Sequence, residues 1–251
     1  MTLKFAEKTH RYTMDGKHVQ GVTTILSAAI PKPALPKWAA KSVAEWIADN
    51  PEGLLNLQGM GRGPMIEALK NVPWQERDEA AIRGTDVHAI AEKLIHGETI
   101  DVPNHLLSRV EGLAKLLDDF HISPILTEVS VGNRALWYAG RLDTISTMNG
   151  ENWLLDFKTS KGVYGETGLQ TAAYAGCEFY VNDNEWDIEL PLPEIHRIGV
   201  IHITDEGSTL HELGDIKENF KIFRHVHYLA SKQEYIKNLV TAPLTPEEIY
   251  A

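Results

Sequence analysis

Two apolar runs that each end on an aspartate constrain this chain more than any other feature. Trp137-Tyr138-Ala139-Gly140-Arg141-Leu142 leads to Asp143, and Trp153-Leu154-Leu155 leads to Asp156-Phe157-Lys158-Thr159. Asn149-Gly150 lies between them and predicts a tight turn, so the two runs are expected to pair as neighbouring strands. Strand side chains alternate faces, which puts Asp156 and Lys158 on one side. With Asp143 on the adjacent strand, two carboxylates reach one point. Carboxylate oxygens suit a hard divalent cation, and a lysine two residues along can steady a water as its ammonium or deprotonate it as its neutral amine. A charged residue at the tail of an apolar strand ordinarily just begins a turn. The joint occurrence of Asp143, Asp156 and Lys158 is a poor match for that plain reading.

The remaining pattern frames these runs. Tyr12-Thr13-Met14, Asp15-Gly16 and His18-Val19 read as a hairpin. A helix starts at Thr23-Thr24-Ile25-Leu26, Pro31 and Pro33 break it, and a second helix covers residues 35–48. Residues 51–76 read as a connection: Gly59, Gly61 and Gly63 follow no clear strand and precede no Gly-Lys-Ser/Thr. Helices are expected over 78–96 and 104–120, the latter with Leu106, Val110, Leu113, Leu117 and Phe120 at core spacing. Strands follow at 125–131, 136–147 and 152–158, then a helix at 167–181. Strands at 195–203 and 209–213 precede a final helix at 215–239, striped by Ile216, Phe220, Phe223, Val226 and Ala230. This order predicts an α/β protein of the α+β type, a mixed central sheet flanked by helices with a helical N-terminal extension. One domain over 1–251 is expected: an extension at 1–77, a core at 78–240 and a tail at 241–251.

Bulk composition narrows the function. No run is long and apolar enough to span a bilayer, and Met1-Thr2-Leu3-Lys4-Phe5 begins no signal-peptide pattern, so no membrane partner and a cytoplasmic setting are expected. Cys177 is the single cysteine, which excludes an intrachain disulfide and any four-cysteine zinc or iron–sulfur site. The net charge of −11 is uneven. Residues 1–50 carry 7 Lys/Arg against 4 Asp/Glu, 51–150 carry 9 against 14, and 151–251 carry 8 against 17. An acidic total weakens non-specific attraction to nucleic acid without forbidding a local basic groove.

Further residues are candidates for the same site. His88 stands one turn after Gly84, whose missing Cβ would let the helix approach the sheet, and its imidazole can add a neutral nitrogen ligand. A lone helical histidine is ordinarily structural. Glu92, one turn further, is expected on the solvated edge. Glu128 shares a strand face with Leu126 and Ser130; it can orient Lys158, hold a second ion, or be an edge charge. Gln170 and Tyr174, four apart, share a helix face, either toward the site or as a polar rim. Arg83, Arg141 and Lys161 are candidate phosphate contacts, and Lys32, Lys37 and Lys41 can line an entry path. Trp38 or Trp137 can stack a base, although core packing is the commoner use of both.

At these residues the sequence resembles the PD-(D/E)XK nuclease superfamily, specifically its RecB-type exonuclease branch. The likeness is carried by Gly84-Thr85-Asp86-Val87-His88, Gly140-Arg141-Leu142-Asp143, Asp156-Phe157-Lys158-Thr159 and Gln170-Thr171-Ala172-Ala173-Tyr174, in the family's order over residues 84–174. Upstream, Gln20-Gly21-Val22-Thr23-Thr24-Ile25-Leu26 and Leu35-Pro36-Lys37-Trp38-Ala39 are similar to the N-terminal part of phage-encoded and mitochondrial members. The resemblance implies a restriction-endonuclease-like core in which His88, Asp143, Asp156 and the Phe157 carbonyl hold Mg²⁺ or Mn²⁺. It implies that Lys158 activates the water, with Gln170 and Tyr174 in support. The expected activity is exonucleolytic hydrolysis of DNA, single-stranded or as a duplex with ends, in replication, recombination or repair. The alternative is a catalytically silent DNA-binding or assembly module of the same fold. Many relatives clamp the domain with a four-cysteine iron–sulfur cluster; Cys177 alone cannot form one, so other contacts must fasten the terminal segments.

Overall fold

A computed structural model describes the chain except residues 1, 7, 8, 99–101, 184, 246, 247, 250 and 251, and, within its longest helix, the side chains of residues 76, 79–83, 85 and 86. Turn residues set the strand pairing. Asp15-Gly16, at φ 52° and 76°, joins β2 (Arg11–Met14) to β3 (Lys17–Gly21). Asn149-Gly150, at 50° and 79°, joins β5 (Tyr138–Met148) to β6 (Glu151–Lys158). Left-handed conformations at both central positions match the twist of paired strands. A further strand, β1 (Leu3–Ala6), pairs antiparallel with β2.

The central row of the sheet is β10 (Gly207–Glu212), β9 (Arg197–Thr204), β6, β5, β4 (Ser123–Asn133), β7 (Phe179–Val181) and β8 (Leu190–Pro191). All these neighbours are antiparallel except β6 and β9, and β3 also runs parallel to β5, so the sheet is mixed as expected. Helices cover both faces. Against one lie α1 (Val22–Ala29), α6 (Glu166–Ala175) and α7 (Ile216–Ser231), burying Ile25, Tyr138, Leu142, Leu154, Ala172, Ile198 and Phe223 together. Against the other lie α5 (Leu107–Asp119) and the C-terminal part of α4 (Arg62–Ile95), burying Val87, Ile90, Val110 and Leu113 with Trp153, Leu155, Phe157 and Ile201. Period-two alternation along β6 is therefore visible in its packing: Leu154 joins the first core, Trp153, Leu155 and Phe157 the second.

Several expectations are corrected. Residues 51–76 are no loop: α3 (Pro51–Gly59) follows α2 (Ala34–Asp49), and α4 begins at Arg62 and crosses the 77/78 boundary drawn from sequence. Only Gly61, at φ 93°, interrupts the helical run. Pro51 and Pro64 both fall in first turns, where a missing N–H leaves no intrahelical bond unmade. The helix expected over 167–181 stops at Ala175, and Phe179-Tyr180-Val181 become a short strand on β4. Aromatic and β-branched side chains after Gly176 favour that outcome. Phe120 is exposed rather than in the core, because α5 ends at Asp119. The last helix divides into α7 and α8 (Gln233–Lys237). Asp215 caps α7, its carboxylate accepting from the Glu218 N–H at 2.7 Å. Among the described residues no helix is long and apolar enough to cross a membrane.

Phe223 is fully buried and meets Tyr138 edge-on at 5.0 Å. Phe223→Ala should lower unfolding free energy by about 3–5 kcal/mol in urea titrations, the cost of a large core truncation.

Candidate functional site

The site begins as a gap in a ladder. β4 covers one edge of β5, while the other edge is divided: β3 pairs with Tyr138 and Ala139, and β6 pairs with Thr144 to Met148. Gly140 to Asp143 therefore have no strand partner on that edge. β6 leaves β5 after Leu155 and continues beside β9 as far as Lys158. Backbone donors inside a protein need acceptors. Here the Asp143 side chain supplies one, its Oδ2 accepting from the Phe157 N–H at 2.7 Å.

Two helices reach the fork from opposite faces. From α4, His88 brings Nδ1 to 3.6 Å from Asp143 Oδ2, with its ring edge-on to Phe157 at 6.1 Å. Gly84 eases the approach, since a Cβ there would lie 3.2 Å from Thr159 Oγ1 and press on that hydroxyl. From α6, Gln170 Nε2 donates to Asp156 Oδ1 at 3.2 Å and to the Tyr174 hydroxyl at 3.1 Å. Tyr174 lies over Gly140, where a Cβ would come within 2.3 Å of its ring. Asp156 and Lys158 do share a face: Lys158 Nζ is 2.6 Å from Asp156 Oδ2.

Glu128 arrives by an irregularity. Its φ of 50° is left-handed, and Leu126 packs into the same core as Val129 and Val131, so strand alternation breaks between Leu126 and Val129. The expected face shared with Leu126 is thus incorrect. The turned backbone instead brings Glu128 to His88 and Asp143, one ligand atom of each lying within 4.8 Å of the others. Opposite ligands of an octahedral ion at about 2.1 Å are about 4.2 Å apart, so this set fits a divalent cation with small movement. Asp156 lies outside that set. Its buried Oδ2 faces the Lys158 ammonium at 2.6 Å.

The electrostatics are those of crowded, buried acids. Burial, then the neighbouring Asp156, pushes Asp143 up to about 7. Burial and Asp143 raise Glu128, against the pull of Arg141. Burial lowers His88 and outweighs the attraction of Asp156, keeping the imidazole neutral and able to ligate. Burial also opposes the Lys158 charge, but Asp156 and Asp143 overcome it and the ammonium is held above its ordinary range.

Other expected residues fare differently. Arg141 points its Nε to Glu128 at 2.7 Å and its two terminal nitrogens to Asp183 at 3.0 Å each, so it braces Glu128 and is not free for phosphate. Lys161 is exposed on the β6–α6 loop without an ion pair among the described residues. Lys32 pairs with Glu166 at 2.7 Å and Lys41 with Glu45 at 3.3 Å. The Arg83 side chain lies outside the described residues. Two site residues, Asp183 and Tyr12, were missed, and Glu92, expected on the solvated helix edge, lies closer to the site than that. Asp183 has no sequence signal, being a loop acid after a strand read as helix. Glu92 is half-buried and near enough to raise Glu128, one helical turn beyond His88. Tyr12 sits in the field of Arg141 and Glu128, with burial pushing it up to about 12.

No family model matches the chain, and no curated protein matches it. Among solved structures, one described as the crystal structure of SSO0001 is similar at a TM-score of 0.26 and 14% identity, covering 64% of this chain and 90% of that one. A likeness that low bears on neither fold nor activity.

Two outcomes follow from this geometry. Gly140→Ala should drive Tyr174 from its place and cost about 1–3 kcal/mol by overpacking, seen as a lowered Tm in calorimetry. Below about pH 7 a proton occupies Asp143 and a cation must displace it. Mn²⁺ affinity, measured by titration calorimetry, should therefore fall as pH drops from 8 to 6, by up to about tenfold per unit below the midpoint.

Proposed function

We propose that this protein is a divalent-metal-dependent nuclease that hydrolyses DNA phosphodiester bonds from an end, of the PD-(D/E)XK, RecB-type class its motifs resemble. The observation that supports this best is the meeting of an imidazole, two carboxylates and an Asp–Lys pair at one break in the sheet, drawn from α4, β4, β5 and β6. Structural ion pairs rarely leave several buried acids to share so few cations, because uncompensated burial is costly. Crowding of that kind is characteristic of sites that await a ligand.

His88, Asp143 and Glu128 would hold the ion, with Asp156 and the Phe157 backbone next to it. Mg²⁺ or Mn²⁺ bound there supplies Lewis acidity toward a phosphate oxygen and the charge to offset the carboxylates. Lys158 is protonated at neutral pH, so its first role is to donate to a water or phosphate oxygen and orient it. It becomes a proton acceptor only when Asp143 and Asp156 are charge-compensated, since those two acids hold its proton. Gln170 keeps Asp156 aimed, and Tyr174 keeps Gln170 aimed. Arg141 stabilises the left-handed Glu128, with Asp183 behind it.

Incubation with end-labelled single- and double-stranded DNA in Mg²⁺ or Mn²⁺ tests the reading. Mononucleotide products support it, internal fragments make the enzyme an endonuclease, and binding without cutting makes the chain a silent module. Lys158→Ala should cut at least ~100-fold more slowly, the range of general acid–base contributions. Removing the ammonium strands a buried carboxylate, so Lys158→Gln, which keeps a donor there, is run beside it with circular dichroism. A Lys158→Gln protein that folds and cuts at the parent rate would remove Lys158 from the mechanism.

A further inference from the structure

A second polar surface lies away from the fork. A groove of about 720 Å³ runs between α7 and the β4–β5 turn, lined by Leu136 on one side and by Lys221, Arg224, His225 and Tyr228 on the other. That volume is of ligand-pocket size, not the size of an ion site. In a chain of net charge −11, α7 carries three Lys/Arg against one Asp/Glu, Glu218, which pairs at the surface with Lys221 at 3.5 Å. Arg224 has no ion pair among the described residues. The positions 221, 224, 225 and 228 are spaced by three and four, which puts them on one helix face, while Phe223 and Ala230 turn into the core. Aromatic surface accompanies the charge. Tyr228 is 64% exposed, with Lys232 Nζ 5.4 Å over its ring. Next to Leu136, Trp137 is 37% exposed, pinned at a φ of 59° and tied by its Nε1 to the His18 carbonyl at 3.1 Å.

Cations spaced along a groove with upright aromatic rings among them fit a phosphate backbone whose bases stack on protein side chains. We propose that this groove is a track for single-stranded DNA, with Lys221 and Arg224 on phosphates and Tyr228 under a base. The identity of the polymer rests on the nuclease reading; the anionic, stacking character of the ligand does not.

The test separates the two readings. Binding of a fluorescein-labelled oligothymidylate of about 20 nucleotides is followed by anisotropy in EDTA, where cutting is absent. Lys221→Glu/Arg224→Glu should weaken binding at least ~10-fold and flatten the plot of log affinity against log salt by about 1.4, the counterion release of two lost contacts on single strands. Tyr228→Ala should weaken binding without changing that slope. In Mn²⁺, the charge-reversed protein should raise KM for single-stranded DNA and keep kcat. An unchanged anisotropy curve and slope in the double variant would overturn the track, whatever the activity. If the double variant loses binding and even the parent never cuts, the track stands and the nuclease reading fails. These side chains are exposed, and an unchanged Tm confirms that the variants are folded.

Discussion

Everything at the centre of this protein follows from one shared strand edge. β3 and β6 both claim the same side of β5, and neither reaches Gly140 to Asp143. A gap in a ladder would leave buried backbone groups without partners. The Asp143 carboxylate closes it by accepting from Phe157. One side chain thus substitutes for a strand, and in doing so it is fixed beside Asp156 with little access to water. The charge concentration that follows is offset by Lys158, by the amide of Gln170 and by the Arg141 brace on Glu128. A carboxylate cluster balanced this incompletely is physically suited to a cation.

Access to the gap depends on residues defined by what they lack. Gly84 lets α4 come against Thr159, and Gly140 leaves room for the Tyr174 ring. A Cβ at Gly140 would meet the Tyr174 ring at 2.3 Å, and one at Gly84 would press on the Thr159 hydroxyl at 3.2 Å. Glu128 reaches the cluster by a different device, a left-handed residue inside a strand. Such a conformation costs free energy and persists where the surroundings over-determine it. Its partner Arg141, itself held by Asp183, provides that restraint and couples the β4 irregularity to the loop after β7.

The acidic total and the proposed polyanionic substrate are reconciled by segregation. Acids dominate the C-terminal segment as a whole, yet α7 within it is basic on its outer face. An acidic fork draws cations, while a basic groove some distance along the same sheet draws phosphates.

Much of this was open to inspection in the amino-acid order. Asp15-Gly16 and Asn149-Gly150 specify their hairpins because only certain residues take left-handed turns cheaply. Asp156 and Lys158 share a side because strand periodicity is two, and the stripe on α7 lies inward because helix periodicity is 3.6. Local rules of that kind act over a few residues, and the residues themselves carry them. Tertiary structure decided what depends on distant neighbours. Residues 51–76 became helical even though their glycines and prolines suggested a loop: Pro51 and Pro64 fell in first turns, where helices tolerate them, and α4 continues through Pro73 in its interior. Phe179-Tyr180-Val181 became a strand because β4 offered an edge. Arg141, expected on phosphate, was taken by Glu128 and Asp183, and no local pattern encodes the position of Asp183. The burial that lifts Asp143, and the pair of acids that holds the proton on Lys158 against its own burial, are likewise collective: they exist only when two helices close over a gap in the sheet.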